Sequence, residues 1–260
     1  MASPLIILFI NAGILGVLAS VFVVLAISVN SWQKYEYMED KLAEINRTEN
    51  HLFMKNISAN NFFLQVEDSS TSGLNTSKYY YLYIEFTGLW RICNTLTEDE
   101  RDIIPRSSLI SNRECFTFVT DFDESSVAYS SQAKQIARLQ NSAASCYIVV
   151  IIDLISAAVV GLIGITQKQV ASCMVTGVLY CMAALFGVFG LSMFHTKDYY
   201  EKFNCYSLTE IPTAVCSARV VTIEWAIPVA WCGVLFCVLA CTLWLIVARA
   251  LRVIKAKTML

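Results

Sequence analysis

Four long apolar blocks constrain this chain more than any other feature of its sequence. They cover residues 5–29, 146–165, 170–194 and 225–247. Each has the roughly 20 apolar residues that an α-helix needs to cross a bilayer, and a helix satisfies its own backbone hydrogen bonds in lipid. Charged residues make up only 15% of the chain, against about 25% in soluble domains. The sequence therefore predicts four transmembrane helices.

The blocks divide residues 1–260, taken as a single domain, into spans and loops. We expect spans at about 5–29, 143–166, 170–194 and 223–248, a first loop at 30–140 with an insert at 40–78, a second loop at 195–222 and a tail at 249–260. A cleaved signal peptide is the alternative for the first block. That block is too long for one, and no basic residue precedes its apolar core.

Basic residues near the spans predict the orientation. The tail carries Arg249, Arg252, Lys255 and Lys257 without any acid, and Lys168 lies in the short turn between the second and third spans. Cytoplasmic segments are enriched in Lys and Arg. We therefore expect both termini in the cytoplasm, both loops outside, and a multi-pass protein of the plasma membrane.

The first loop has the composition of a glycosylated extracellular segment. Between residues 34 and 138 it has eleven basic and sixteen acidic side chains, a net charge of −5. Asn46, Asn56 and Asn75 each begin an Asn-x-Ser/Thr acceptor. Glycans there would keep the insert solvated, so the sequence predicts a mobile segment rather than a packed element.

The ten cysteines divide between loops and spans. Cys93 and Cys115 lie in the first loop, Cys205 and Cys216 in the second. An oxidising compartment favours two disulfides, one within each loop, although crossed pairing is open. The other six are expected to be small packing residues: Cys146, Cys173, Cys181, Cys232, Cys237 and Cys241.

Two segments of the first loop have the composition of β-strands. Residues 79–86 are rich in aromatic and β-branched side chains and end before Gly88. "CFTFVTDF" at 115–122 alternates in the same way. A disulfide would join the two strands, with their aromatic side near the membrane interface. A generic disulfide-bonded hairpin with incidental aromatics is the alternative.

One set of residues resembles a known signature. A tryptophan after the first span, then Gly-Leu-Trp, then two cysteines follow the W…GLW…C…C pattern of the claudin superfamily, here Trp32, Gly88, Leu89, Trp90, Cys93 and Cys115. "IEWAIPVAW" at 223–231 is similar to the start of the fourth helix in that group. The group includes claudins, peripheral myelin proteins, claudin-domain-containing proteins and calcium-channel γ subunits.

The resemblance implies a fold class. It is a membrane all-α four-helix bundle with a small extracellular antiparallel β-sheet, in which Cys93 bonds to Cys115 and Trp32 with Gly88–Trp90 anchors the sheet to the outer end of the bundle. Here 55 residues separate Trp32 from Gly88 and 21 separate the two cysteines. These intervals, longer than in claudins proper, favour the claudin-domain-containing and channel-γ branches.

A stripe of small residues follows one face of the fourth span. Its spacing of three and four residues allows close helix approach. The favoured interpretation is packing inside the bundle, and lateral docking of a partner is the alternative. The residues are Ala226, Ala230, Gly233, Cys237 and Cys241.

Asp153 is the most unusual polar residue of the spans. A charge inside a membrane is costly and marks a functional or paired group. We expect Asp153 to form a structural hydrogen bond within the bundle, with Asn11 on the first helix as a candidate partner.

The last residues, Thr258, Met259 and Leu260, fit the Ser/Thr-x-apolar pattern that PDZ domains capture by strand addition. Three residues are a weak pattern, and a tail end without a partner is the alternative. A PDZ scaffold is therefore one candidate partner.

No pattern indicates catalysis, a cofactor, a metal site or nucleic-acid binding. The two histidines, His51 and His195, lie in different loops, and no glycine-rich phosphate loop is present. The acidic run "TEDERD" at 97–102 lacks the pattern of a calcium loop and is expected to be a solvated loop tip.

The sequence therefore predicts a non-enzymatic, glycosylated tetraspan in the lipid bilayer that mediates contacts at cell–cell borders. Its partners would be other membrane proteins, homophilic or junctional. The alternative is an auxiliary γ-type subunit that modulates gating or trafficking of a voltage-gated calcium channel or glutamate receptor. An independent pore is disfavoured, because one buried acid makes no polar path.

Overall fold

The computed structural model describes residues 4–48, 52–58, 61–68, 76–103, 114–117, 130–208 and 211–259. The chain forms two compact units. We call Met1–Val29, Ser142–Phe194 and Trp225–Leu260 the helical unit, and Asn30–Asn141 with His195–Glu224 the sheet unit.

Four long helices run through the chain: α1 Pro4–Ser28, α4 Ser131–Gln167, α5 Val170–Phe203 and α6 Ala226–Met259. Within the described ranges, these four are long and apolar enough to cross a membrane. Large apolar side chains on them face outward, for example Val17 at 63% exposure and Leu162 at 64%. Lipid is the solvent in which such a surface is stable. The four predicted transmembrane helices are confirmed.

Three of the helices extend beyond the predicted spans. Helix α4 begins at Ser131 rather than near residue 143, α5 ends at Phe203 rather than 194, and α6 reaches Met259 rather than 248. The Ser130 hydroxyl accepts a hydrogen bond from the Ala133 amide at 3.1 Å and so caps α4. Hydropathy detects only the lipid-length part of a helix, so it missed these polar extensions.

The small residues of α6 pack inside the helical unit. Ala226, Ala230 and Cys237 are buried. A Cβ placed on Gly233 would lie 2.9 Å from Val23 Cγ2 and 3.2 Å from the Val23 backbone nitrogen on α1. Close packing between α1 and α6 therefore requires these small side chains. The structure agrees with the packing interpretation of the stripe.

Aromatic pairs continue the contact between α1 and α6. The rings of Phe9 and Trp244 meet edge to face with centroids 6.2 Å apart, and those of Phe22 and Phe236 lie 5.0 Å apart. Both separations fall in the favourable range for aromatic pairs. Van der Waals packing of this kind holds helices together in lipid, where apolar burial gives no net gain.

The hydrogen bond expected between Asp153 and Asn11 is not formed. Asp153 is half-buried, and its buried Oδ2 atom has no hydrogen-bond partner within the described part of the chain. Asn11 lies on an exposed face of α1. The prediction was wrong because apolar blocks mark spans without fixing the rotation of each helix about its axis.

The sheet unit contains two antiparallel sheets. The larger has the strand order β7-β6-β5-β1-β8, and the smaller the order β2-β3-β4. The strands are β1 Gln33–Tyr37, β2 Leu52–Ser58, β3 Asn61–Asp68, β4 Thr76–Leu82, β5 Glu85–Thr87, β6 Arg91–Asn94, β7 Cys115–Thr117 and β8 Arg219–Ile223. Between them lie helix α2 Glu39–Thr48, helix α3 Glu98–Ile103 and a 3₁₀ turn Thr213–Ser217.

The segment predicted as one strand at 79–86 is two strands in different sheets. Strand β4 ends at Leu82 and pairs with β3, whereas β5 begins at Glu85 and pairs with β1 and β6. Leu82 and Tyr83 are consecutive buried residues, so the alternation of a strand breaks between them. The described part of the strand predicted at 115–122 is β7, Cys115–Thr117; residues 118–122 lie outside the described residues.

The described part of the insert contains packed elements, contrary to the prediction that it has none. Strands β2, β3 and β4 pair in an antiparallel ladder with a register shift between Asn56 and Ser58. Leu42 on α2 is fully buried and clusters with Leu82, Val215 and Ala218. Sequons and polar composition led to the wrong interpretation, because a strand forms its backbone ladder with polar side chains along it.

The "TEDERD" run is a capped helix rather than a loop tip. The Glu100 carboxylate accepts a hydrogen bond from the Thr97 amide at 2.9 Å, and the Thr97 hydroxyl accepts one from the Glu100 amide at 3.4 Å. This reciprocal pair is a capping box, and it begins α3.

Replacing Gly233 tests the close packing of α1 and α6. We expect Gly233→Ala to lower the thermal unfolding midpoint of the detergent-purified protein, because overpacking costs about 1–3 kcal/mol. Gly13→Ala is the matched control, since nothing lies within 4 Å of a Cβ at that position. It should leave the midpoint unchanged or slightly raised. Equal midpoints for the two variants would contradict this packing.

Candidate functional site

The signature residues lie in and beside the larger sheet. Cys93 on β6 and Cys115 on β7 face each other in register and form a disulfide. Trp32 is fully buried, its amide donates to the Thr87 carbonyl at 2.9 Å, and its carbonyl accepts from the Glu224 amide at 3.0 Å. The tryptophan therefore joins strands that are far apart in sequence.

A buried glutamine holds the Gly-Leu-Trp turn. Gln140 Nε2 donates to the carbonyl oxygens of Gly88 at 2.9 Å and Leu89 at 2.6 Å. Leu89 is fully buried and Trp90 is half-buried. The Gly88 amide donates to the Arg91 carbonyl at 2.9 Å and closes the turn. Sequence analysis missed Gln140, because a lone glutamine before a span carries no motif.

The sequence match covers nearly the whole chain. The family model described as PMP-22/EMP/MP20/Claudin tight junction matches residues 17–246. The chain belongs to this claudin family. No curated protein sequence matches it. The match and the four apolar helices together establish a claudin-like multi-pass membrane protein.

The second disulfide of this claudin-family protein joins Cys205 to Cys216. Beside it, Tyr206 stacks on Tyr200 with ring centroids 5.4 Å apart, and Arg219 Nη1 donates to the Tyr206 carbonyl at 2.9 Å. Both loop disulfides thus pair as predicted, without crossing. The bond links the end of α5 to the segment before β8.

A buried ionic cluster lies between the larger sheet and the end of α5. Lys197 is fully buried, and its Nζ atom lies 3.2 Å from Tyr35 Oη, 3.3 Å from Gln33 Oε1 and 3.6 Å from Glu201 Oε1. The Tyr35 hydroxyl donates to the Glu201 carboxylate at 2.9 Å. An ammonium group is stable in such an interior only with this density of acceptors.

Further groups complete the cluster. Gln33 Nε2 donates to Asp198 Oδ1 at 2.7 Å, and Lys202 binds Asp198 Oδ2 at 2.8 Å. The guanidinium of Arg219 lies 4.8 Å from the centre of the Tyr35 ring. We call Gln33, Tyr35, Glu85, Lys197, Asp198, Glu201 and Arg219 the ionic cluster.

Glu85 belongs to this cluster by its strand register. It pairs with Tyr35 across β5 and β1, so the two side chains share a face of the sheet. Burial raises the pKa of the Glu85 carboxyl to about 7, although Arg219 and a hydrogen bond with Tyr83 oppose the rise. Burial also lowers the pKa of Lys197, and Glu201 offsets part of that change.

The opposite face of the same helical segment is aromatic and exposed. Tyr199 is 56% exposed and Phe203 is 73% exposed, and their rings lie 4.9 Å apart. Lys197 and Glu201 occupy the alternate positions and are buried. The end of α5 therefore reverses the usual pattern, with charges inside and aromatic rings outside. We call Tyr199 and Phe203 the aromatic pair.

None of the remaining predicted sites contributes a residue to the ionic cluster. Asn46 is exposed on α2. Asn56 lies on β2, where only the backbone is described, and Asn75 lies outside the described residues. Thr258 and Met259 end α6, and Leu260 is likewise outside the described residues.

The structure also locates the cysteines of the spans and tests for metal sites. The six span cysteines are free; Cys173 and Cys237 are buried, and Cys181 and Cys232 are exposed. In the parts of the chain that are described, no three His, Cys, Asp or Glu side chains are grouped to hold a metal ion.

Removing the buried ammonium should destabilise the sheet unit. We expect Lys197→Met to cost about 3–5 kcal/mol, because Glu201 is left as an uncompensated buried charge. Adding Glu201→Gln should recover much of this loss. Lys34→Met on β1 is the control: Lys34 pairs with the half-exposed Glu36, and such pairs contribute under about 1 kcal/mol. Thermal unfolding in detergent measures all three, and no recovery in the double variant would contradict the pairing.

Glu85 should make stability depend on pH. Its ordinary pKa of 4.5 applies to the unfolded chain and the value of about 7 to the folded one. The folded state therefore binds the proton more tightly, and stability falls as pH rises through this window, by no more than about 3 kcal/mol. In thermal unfolding, Glu85→Gln should remove this contribution to the fall of the unfolding midpoint between pH 4.5 and 7. Glu36→Gln, at the surface, should keep it; identical slopes in all three proteins would refute this role.

Proposed function

We propose that this claudin-family protein is a non-enzymatic plasma-membrane protein whose sheet unit lies outside the cell and binds other membrane proteins at cell–cell borders. The main support for this proposal is the end of α5, where charged side chains are buried and the aromatic pair is exposed. Exposed aromatic residues at 56% and 73% exposure are the side chains most enriched at the energetic centres of protein interfaces.

The length of α5 supports a protein partner over lipid for the aromatic pair. A helix of 34 residues is about 51 Å long at 1.5 Å per residue. The hydrocarbon core is about 30 Å thick, and the whole bilayer about 40–45 Å. When Val170 begins at one hydrocarbon boundary, Phe203 extends past the headgroups of the other leaflet. Its ring would then contact another protein rather than the membrane interface.

The ionic cluster supports a rigid binding surface. Tyr199 and Phe203 alternate with Lys197 and Glu201 on one helix, so the contacts of the charged pair fix the rotation of that helix. A preorganised aromatic pair loses less side-chain freedom on binding than a mobile one. The two disulfides restrict the same unit further.

Charge and chemistry support the orientation. Arg249, Arg252, Lys255 and Lys257 at the end of α6 favour a cytoplasmic C-terminus. Both disulfides lie in the sheet unit and need an oxidising compartment. The acceptors at Asn46 and Asn56 lie in that unit too and would carry glycans, as would the acceptor at Asn75, which lies outside the described residues. A cytoplasmic PDZ scaffold would then be available to Thr258–Leu260.

Capture of neighbouring proteins in contacting cells tests this function. A proximity-labelling enzyme fused to the full chain should recover adhesion and junction proteins. Phe203→Ser should reduce that recovery about ten-fold, the loss expected for an interface hot spot. Met38→Ser is the control, because it removes an apolar side chain of the sheet unit that is 46% exposed and follows β1 rather than lying on α5.

Two results would overturn the proposal. Recovery of calcium-channel or glutamate-receptor pore subunits in stoichiometric amounts would assign the chain to the auxiliary-subunit class instead. Equal recovery with Phe203→Ser and with Met38→Ser would remove the aromatic pair from the interface. Surface biotinylation of each variant shows that delivery to the membrane is unchanged.

A further inference from the structure

An open apolar groove lies along α1 in the helical unit. It extends from Leu5 to Leu18, includes Ile165 and Lys168, and encloses about 660 Å³. Ligand sites in proteins typically enclose about 300–1,000 Å³. These fourteen helical residues span about 20 Å, which is about two thirds of the 30 Å hydrocarbon core. The groove is therefore long enough to hold an acyl chain of one leaflet, which extends over about 15 Å.

A glycine lies midway along the groove. Nothing lies within 4 Å of a Cβ placed on Gly13, whereas the same atom on Gly16 or Gly233 would collide with a neighbouring helix. Gly13 is therefore not needed for packing within the helical unit. Its missing side chain instead deepens the groove.

One cation belongs to this otherwise apolar surface. Lys168 lies in the turn between α4 and α5 and has a left-handed backbone with φ of 47°. Because α1 crosses the bilayer once and α4 crosses back, this turn lies at the membrane face where α1 begins. An exposed lysine at that level attracts anionic headgroups.

We propose that the groove binds one anionic phospholipid, with an acyl chain along α1 and the net negative charge of its headgroup at Lys168. The charge of the site complements that ligand, and the apolar part matches a chain of one leaflet. A partner helix fits less well, since close helix approach uses several small residues. Among the groove residues of α1, large side chains such as Ile6, Ile10 and Ile14 surround the one glycine.

The headgroup contact is tested with the full chain purified in mild detergent. Native mass spectrometry should show more retained phosphatidylserine than phosphatidylcholine of the same chain length. Lys168→Gln should lower phosphatidylserine retention about five-fold, as expected for one surface cation, and leave phosphatidylcholine unchanged. Lys257→Gln is the control, because it removes an exposed cation at the end of α6, outside the groove. Equal losses for both variants would overturn the assignment in favour of general adsorption to basic residues.

The chain contact is tested by filling the groove. Gly13→Leu should reduce retention of both lipids, whereas Ala158→Leu adds the same bulk to an exposed face of α4 and should have no effect. If Gly13→Leu retains both lipids as the unmodified protein does, the bound lipid is annular lipid only. That result would overturn the proposal. Loss of a dimer in Gly13→Leu with lipid retention unchanged would assign the groove to a second helix instead.

A measurement without substitutions covers the case in which a variant fails to fold. Spin-labelled phosphatidylserine and phosphatidylcholine are compared on the unmodified protein in vesicles that contain both lipids. We expect a motionally restricted population enriched about five-fold in phosphatidylserine. Equal restricted fractions for the two lipids would overturn the proposal.

Discussion

The burial of the Lys197 ammonium is the constraint on which the sheet unit depends. An unpaired charge in a protein interior costs several kcal/mol, so oxygens must surround it from both sides. Strand β1 supplies Gln33 and Tyr35, and the next helical turn supplies Glu201. These contacts fix which face of β1 points inward and how α5 is rotated. The other polar groups of the cluster follow from that rotation.

The same rotation explains why aromatic rings are exposed on α5. Residues two positions apart on a helix point in nearly opposite directions. With Lys197 and Glu201 turned inward, Tyr199 and Phe203 must turn outward. The exposed phenylalanine is therefore a consequence of a satisfied internal charge. A surface of this kind persists when a partner offers it an apolar contact.

Sequence reasoning succeeded where one strong pattern decided the outcome. Apolar length located the four long helices, and compartment chemistry predicted two disulfides with pairing within each loop as the simpler arrangement, which is the pairing observed. It failed where the outcome depended on tertiary contacts or where different sequence features favoured different structures. Glutamine, lysine and arginine usually lie on protein surfaces, so only tertiary contacts reveal the burial of Gln33, Lys197 and Arg219. Asp153 was paired wrongly because hydropathy carries no information about helix rotation, and the insert was called mobile because sequons outweighed its strand-forming residues.

The helical end of α6 has a consequence for the proposed PDZ contact. The helix continues through Met259, so the backbone of Thr258 and Met259 is helical rather than extended. PDZ domains bind peptides as an added strand. A scaffold that captured these residues would first have to unwind the final turn, and its affinity would be reduced by the free energy of that local melting. Conditions that strengthen or fray this turn would then change how strongly such a scaffold binds.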